Sequence, residues 1–411
     1  MKVLKLTPFF HHPDADSWPV AYDSVGGMQV QTWRQAVWLA QEGIHQHVMT
    51  IGFPGLPKLR QLHPFLWIER MLLPMPQIRS EFSGLIGLTQ SWALATLSAL
   101  LQKGHNSDFD VIHAHLDGQI PALLVAYLAP RLLRRPLILT VHCSRLAVYT
   151  PHSWLDMLQH RLARWLERKV VSTAFAVVTL TQRTASELSR DARHIEIVPD
   201  VVDTIQFAPP QQEGLAAFRE RYDLRRKTVG FVGRIAKEKG WQHLIPLAQA
   251  LREQECELLI VGDGTQRDRL RHAINKAGLQ DWVTITGFIP NHEVPLAMAA
   301  CRLIVMPSAY EEFGGASIEA LAIGVPVVAF AVGGLPEILR GITPDLLIAP
   351  EDTSALIAKV NAVLAGHHSG SIDPARLRAY VEQRYAPAAM GMRILDLYRL
   401  ALINSTKPAK P

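Results

Sequence analysis

Short apolar runs rich in β-branched residues recur along the whole chain, separated by longer stretches with helical spacing, and this alternation constrains the fold most. VLKLT, HVMTI, DVIHAH, LILTVH and AVVTLT fall in the first half, and TVGFVG, ELLIVG, WVTIT, LIVMP and PVVAF in the second. Runs that are apolar on both faces suit parallel strands covered by helices on either side. The pattern therefore predicts an α/β protein with one doubly wound sheet in each half, connected by right-handed crossovers. Paired prolines among polar residues in the segment 203–213, DTIQFAPPQQE, predict the linker. The expected domains are then 1–203 and 204–385, with a terminal helix at about 386–404 packing back on the first.

The 411 residues are enough for two domains that each bury a core, and 48% apolar with 19% charged residues is the balance of a folded globular chain. Lys and Arg outnumber Asp and Glu by only 42 to 37, which does not suggest a nucleic-acid groove. The run Arg131, Arg134 and Arg135 reads as a solvated face. Cys143, Cys256 and Cys301 lie too far apart for a metal-ligand spacing or a disulfide framework, which fits a reducing cytosol. The opening MKVLKLTPFFHH has too short an apolar stretch for a signal peptide and reads as a first strand. The stretch 85–101 carries Thr89, Gln90, Ser91, Thr96 and Ser98, so it is expected to be a buried helix rather than a bilayer span. A cytoplasmic protein with no transmembrane segment is expected.

Ligands of open α/β sheets sit outside the carboxyl ends of the strands, which puts weight on residues that follow the strand runs. After the first strand, a polar loop ends in Gly26-Gly27-Met28 at a helix start, where backbone N–H groups are able to approach an anion or a sugar hydroxyl. A structural turn explains that glycine pair equally well. Gly233, Arg234 and Lys239 follow TVGFV, and two cations there suit a diphosphate leaving group, or simply a solvated basic loop. Gly262 and Gly264 follow ELLIV and resemble a dinucleotide fingerprint only loosely. The segment MPSAYEEFGGASIEALAIGVPVV is more specific: a strand ends at Pro307, Glu311 lies in the loop, Gly314-Gly315 opens a helix and Glu319 follows on it.

The spacing of Glu311 and Glu319 resembles the signature of the retaining GT-B glycosyltransferases of family 4. The resemblance runs through the GGM loop, HAHLDG, TVHCS, FVGRIAKEKG, VGDG and TGFIP, in the family's order. It implies a GT-B fold, two doubly wound Rossmann-like domains facing a central cleft, and transfer of a hexose from a UDP-sugar. Arg234 and Lys239 would hold the donor diphosphate, Glu311 the sugar and Glu319 the ribose. Gly314 and Gly315 would contact phosphate, with Gly27, Gly233 and Gly262 as further donor contacts. Phe288 and Ile289 would border the nucleobase, and His142 would lie at the sugar's reacting face. One departure is Pro199-Asp200-Val201-Val202-Asp203, where the family commonly places a glycine in the third position.

LTPFFHH, DSVGGMQVQ, MTIGFPGLP and VHCSRLAVY are similar to the 2-deoxystreptamine glycosyltransferases of aminoglycoside antibiotic biosynthesis. That similarity implies UDP-N-acetylglucosamine or UDP-glucose as donor and a small aminocyclitol as acceptor. Asp23, Gly26, Met28 and Asp117 are the acceptor candidates, the two carboxylates because ammonium groups are recognised by charge-assisted hydrogen bonds. Either aspartate equally fits a helix cap or a turn. Two rivals stay open: a lipid-linked or surface-polysaccharide acceptor, with Trp67, Ile68 and the helix near Trp92 meeting a membrane, and a nucleotide-sugar binding module without turnover. Cations and a helix terminus would neutralise the diphosphate, so no metal and no cofactor are expected. Transfer should persist in excess chelator; activity lost there and restored by magnesium would contradict this.

Overall fold

The computed structural model describes residues 1–15, 27–53, 55–73, 78–80, 84–144, 154–366 and 372–405. The chain forms two compact units, Met1–Pro199 with Pro387–Pro411, and Asp200–Ala386.

The first unit is built on strands β1 (Lys2–Leu6), β2 (His45–Ile51), β3 (Leu59–His63) and β4 (Leu66–Met71), the small hairpin β5 (Ile78–Ser80) and β6 (Gly84–Ile86), then β7 (Val111–Leu116), β8 (Leu137–Val141), β9 (Ala176–Thr179) and β10 (Ile195–Ile197). Its main sheet has the order β10-β9-β8-β7-β1-β2-β4-β3 and is parallel except for the antiparallel β3 edge. The second unit holds β11 (Lys227–Val232), β12 (Cys256–Val261), β13 (Val283–Gly287), β14 (Leu303–Met306), β15 (Val327–Phe330) and β16 (Leu347–Ile348), in the order β13-β12-β11-β14-β15-β16, all parallel. Strand order reverses between β1 and β7 in one sheet and between β11 and β14 in the other. A crevice opens at such reversals because the flanking helices leave to opposite faces.

The two faces of the first sheet differ. Leu4, Leu6, Ile112, Ala114, Leu116, Leu139 and Val141 join one continuous apolar cluster with the helices Leu88–Lys103 and Ile120–Leu133. The opposite face carries a buried polar row: Lys5 pairs in register with His113, and His115 with Thr140. Lys5 Nζ donates to Gln35 Oε1 at 2.8 Å, and Gln35 lies on the helix Gly27–Gln41. His113 bonds Tyr398 Oη through Nδ1 and Thr140 Oγ1 through Nε2, both at 2.7 Å. Tyr398 is on the last helix, Pro387–Ser405, so the end of the chain seals the polar row begun by its first strand.

Three expectations need correction. The boundary lies at Pro199/Asp200 rather than at residue 203, and the segment 203–213 is not a free tether. Phe207 is fully buried, Arg378 donates to the carbonyls of Thr204 and Phe207, and Val202 N–H donates to Tyr385 O. The stretch 85–101 divides: residues 85–86 belong to β6, the helix begins at Leu88, and Leu94 and Leu101 are exposed. Of the residues named for the lipid reading, Ile68 and Trp92 are in the core and present nothing to a membrane, while Trp67 and, on the helix of Trp92, Leu94 and Leu101 are exposed. No helix among the described residues is long and apolar enough to cross a membrane.

The last helix packs on Gly27–Gln41 at Gly391, where a Cβ would stand 2.0 Å from the Trp38 ring. Alanine in a helix normally gains ~0.5–1 kcal/mol over glycine, but overpacking of this kind costs ~1–3 kcal/mol. Gly391→Ala should therefore lower the unfolding midpoint of the first unit; a raised midpoint would contradict the packing. Burial lowers the pKa of His12 and His142 to about 4 from an ordinary value of 6.5. The unfolded chain takes up these protons first, so the stability they protect is complete above about 6.5 and is lost as pH falls toward 4. Urea midpoints for the first unit should fall between about pH 7 and about pH 5; a level or rising midpoint would refute this.

Candidate active site

The reversal in the second sheet brings together the exits of β11 and β14, and the charged residues of this unit's site come from those two loops. After Val232 the chain turns through Gly233, whose N–H donates to Val261 O at 3.0 Å, and Ile235 N–H donates to Asp263 O at 2.9 Å. The β12 exit lies so close that a Cβ on Gly262 would stand 2.1 Å from Gly233 O, so only glycine lets the two strand ends meet. The loop then tightens into a turn of 3-10 helix, Lys237–Lys239, and Glu238 O accepts from Ala309 N–H at 2.9 Å. The β11 and β14 loops are thus tied by backbone as well as by side chains.

Lys239 Nζ donates to Glu311 Oε1 at 2.6 Å, and Ser308 Oγ donates to the same oxygen at 2.9 Å. Glu311 is only 7% exposed, while the Lys239 side chain is partly open. Glu311 Oε2 has no hydrogen-bond partner among the described residues. The Glu311 backbone is held as well: Gly333, at φ +54°, lies so near that a Cβ there would meet Glu311 O at 1.4 Å. Arg234 is paired at 3.0 Å with Glu238, and both side chains are nearly half exposed. Such a pair is worth ~0–1 kcal/mol and exchanges readily for an incoming anion.

Gly314 caps the helix Gly315–Ile323 with φ +97°, and Ser317 Oγ donates to Gly314 O at 2.7 Å. A Cβ at Gly315 would meet nothing within 4 Å, so the first N–H groups of this helix are open to approach. Glu319 lies one turn further on, half-buried. Phe288 and Ile289 follow β13 but differ: Phe288 is 53% exposed and Ile289 is buried, so only Phe288 presents a side chain. Among the described residues no group of His, Cys, Asp or Glu could hold a metal ion.

In the first unit, His142 directly follows β8, half-buried. Its N–H donates to Leu116 O at 2.8 Å and its ring Nε2 lies 3.0 Å from His115 Nδ1. Desolvation lowers the pKa of His142 to about 4, so its ring is neutral near pH 7. Asp117 accepts from Gln119 N–H at 3.3 Å and from Gln119 Nε2 at 2.7 Å, forming a turn before the helix Ile120–Leu133. Gly27 begins the helix Gly27–Gln41, exposed, and Met28 O accepts from Thr32 Oγ1 at 2.8 Å. Asp23 and Gly26 lie outside the described residues.

Within the second unit, Gly233, Arg234, Lys239, Gly262, Glu311, Gly314 and Gly315 gather at the exits of β11, β12 and β14. Sequence reasoning missed Glu238, Ser308 and Gly333. Glu238 and Ser308 follow strands like the residues it chose, and Gly333-Gly334 repeats the glycine-pair signal.

Comparison with known proteins identifies the family. The family described as Glycosyl transferases group 1 matches residues 216–384, and Glycosyltransferase Family 4 matches residues 25–206. A 2-deoxystreptamine N-acetyl-D-glucosaminyltransferase of Streptomyces fradiae is 43% identical over 371 residues, covering 87% of this chain and 86% of its own. A 2-deoxystreptamine glucosyltransferase of Streptomyces kanamyceticus is 42% identical, covering 82% of this chain and 89% of its own. Among solved structures, a sucrose-phosphate synthase of Thermosynechococcus elongatus superposes with a TM-score of 0.80 at 24% identity, over 98% of this chain and 100% of that one. Anabaena HepE in complex with UDP-glucose gives 0.72 at 22% identity, over 97% and 100%. With two parallel α/β units and matches of this extent, the chain belongs to the group 1, family 4 glycosyltransferases of GT-B fold.

Proposed function

We propose that the chain is a retaining hexosyltransferase of the cytoplasm that moves N-acetylglucosamine or glucose from its UDP-sugar to a hydroxyl of 2-deoxystreptamine, in aminoglycoside antibiotic biosynthesis. The observation that carries the chemistry is the contact of Lys239 with Glu311 at the sheet reversal. It supports a reading in which a cation for the phosphate and a carboxylate for the sugar form one charge-balanced unit. The relatives at 43% and 42% identity support the acceptor, and since they differ in donor sugar, both hexoses are retained.

In this reading the diphosphate lies over the N-terminus of Gly315–Ile323, and Arg234 leaves Glu238 to meet it. Lys239 reaches the β-phosphate while Glu311 Oε2 accepts from a sugar hydroxyl, so that neither buried charge is stripped of a partner. The bond from anomeric carbon to phosphate oxygen breaks with its electron pair leaving on UDP. The acceptor hydroxyl adds to the same face, and its proton passes to the departing phosphate. Glu319 holds the ribose, Phe288 borders the base, and His142 lies at the sugar. Two cations and a helix terminus neutralise the leaving group, so the reaction runs without metal. Asp117, steadied by Gln119, supplies a carboxylate for an acceptor ammonium. Asp23 supplies another.

A matrix of UDP-sugars against 2-deoxystreptamine, read by mass spectrometry, should give one hexosylated or N-acetylhexosaminylated product. Donor bound without product or hydrolysis would instead indicate a binding module. Lys239→Ala and Arg234→Ala should each lower kcat by about 10²–10³, the loss expected when a donor to a developing anion is removed; unchanged turnover would overturn the leaving-group assignment. Asp117→Asn should raise the KM for the aminocyclitol on the order of tenfold, as for loss of one charged hydrogen bond, and an unchanged KM would remove Asp117 from the acceptor site.

A further inference from the structure

Two buried histidines of the first sheet and the half-buried His142 that follows it form a series. His113 lies on His115 at 4.4 Å between centroids and 29° between planes, and His115 on His142 at 5.3 Å and 24°. His113 is pinned at both nitrogens by Tyr398 and Thr140. His115 is 1% exposed and uses Nδ1 for its contact with His142 Nε2 at 3.0 Å, while its own Nε2 is buried without a hydrogen-bond partner. Lys5, His113, Tyr398 and His142 are the titratable groups around it, and burial favours the neutral form of each.

One proton must lie between His115 Nδ1 and His142 Nε2, and its owner decides which nitrogen of each ring carries hydrogen. If His142 Nε2–H were the donor, neutral His115 would carry its proton on Nε2, an N–H sealed in the interior with no acceptor. Buried orphan N–H groups are among the rarest features of folded proteins, and unsatisfied acceptors are less rare. With His115 Nδ1–H as donor, only a lone pair is left unmatched. From this geometry we infer that His115 is a positioning residue that donates Nδ1–H to His142 Nε2 and so fixes His142 as a neutral Nδ1–H tautomer. His142 then offers its remaining nitrogen only as a hydrogen-bond donor: it recognises an oxygen of the bound sugar and takes no proton from it. The tautomer follows from the first unit alone; its use in catalysis rests on the function proposed above.

Two measurements on the full-length protein separate these levels. Long-range ¹H–¹⁵N spectra of histidine-labelled protein, with His142 assigned by the loss of its signals in His142→Gln, should show a protonated Nδ1 and a pyridine-like Nε2. Protonated Nε2, or averaging between tautomers, would overturn the inference whether or not the protein transfers sugar. His115→Asn places an amide N–H near the lost Nδ1–H and should retain the tautomer, with kcat within a few-fold of wild type. His115→Asp offers only acceptors, should turn His142 to the Nε2–H form, and should lower kcat by about 10–100-fold with little change in the acceptor's KM, the range seen when a group orienting a ligating histidine is lost. Equal losses in both variants would show that His115 only fills space and would overturn its positioning role. The expected spectra with no transfer in any donor–acceptor pair would instead fault the proposed function.

Discussion

Parallel strands deliver all their carboxyl ends to one edge, and most of what distinguishes this chain follows from that constraint. At the β11/β14 reversal the edge gathers residues far apart in sequence: Lys239 and Glu311 are 72 positions apart and in contact at 2.6 Å. The glycines at 262 and 333 are the geometric condition for this, since side chains there would hold strand ends or loops apart. The pairing also answers an electrostatic difficulty. A nearly buried carboxylate and a partly buried lysine would each be costly if either stood alone. Paired, they balance each other's charge.

The first unit uses the same edge differently. One face of its sheet is ordinary aliphatic core; the other is a row of lysine, histidine and threonine closed by two helices. A polar row of this kind stabilises little by itself, and its members are almost all hydrogen-bonded. What it supplies is orientation. His142 emerges from the end of the row with one nitrogen engaged by His115, and His113 behind them is fixed by Thr140 of β8 and Tyr398 of the last helix.

Much of the fold is legible in the sequence because both sheets are parallel and buried, which gives runs such as DVIHAH, LILTVH and ELLIVG. The elements that escaped notice are those with another physical origin. β3, LRQLH, is an exposed antiparallel edge with no apolar face, and β16 has two residues. The segment 203–213 has a linker's composition but is anchored by Phe207, whose burial no local pattern reports. For the site, strand-end positions identified Arg234, Lys239 and Glu311. Their partners Glu238 and Ser308 went unnoticed, because a hydrogen bond is a statement about distance and not about spacing along the chain. His115 was visible only as part of HAHLDG.

The contribution of Pro387–Ser405 to the first unit has a consequence for the order of events at the ribosome. Asp200–Ala386 is a continuous stretch and has all its strands once its own last residues emerge. The first unit, although begun earlier, lacks its last helix and Tyr398, which bonds His113, until the second unit has been made. Vectorial synthesis ordinarily favours completing the leading domain first. Here the nascent chain must carry an unsealed polar row through translation of its neighbour, and the leading half closes last.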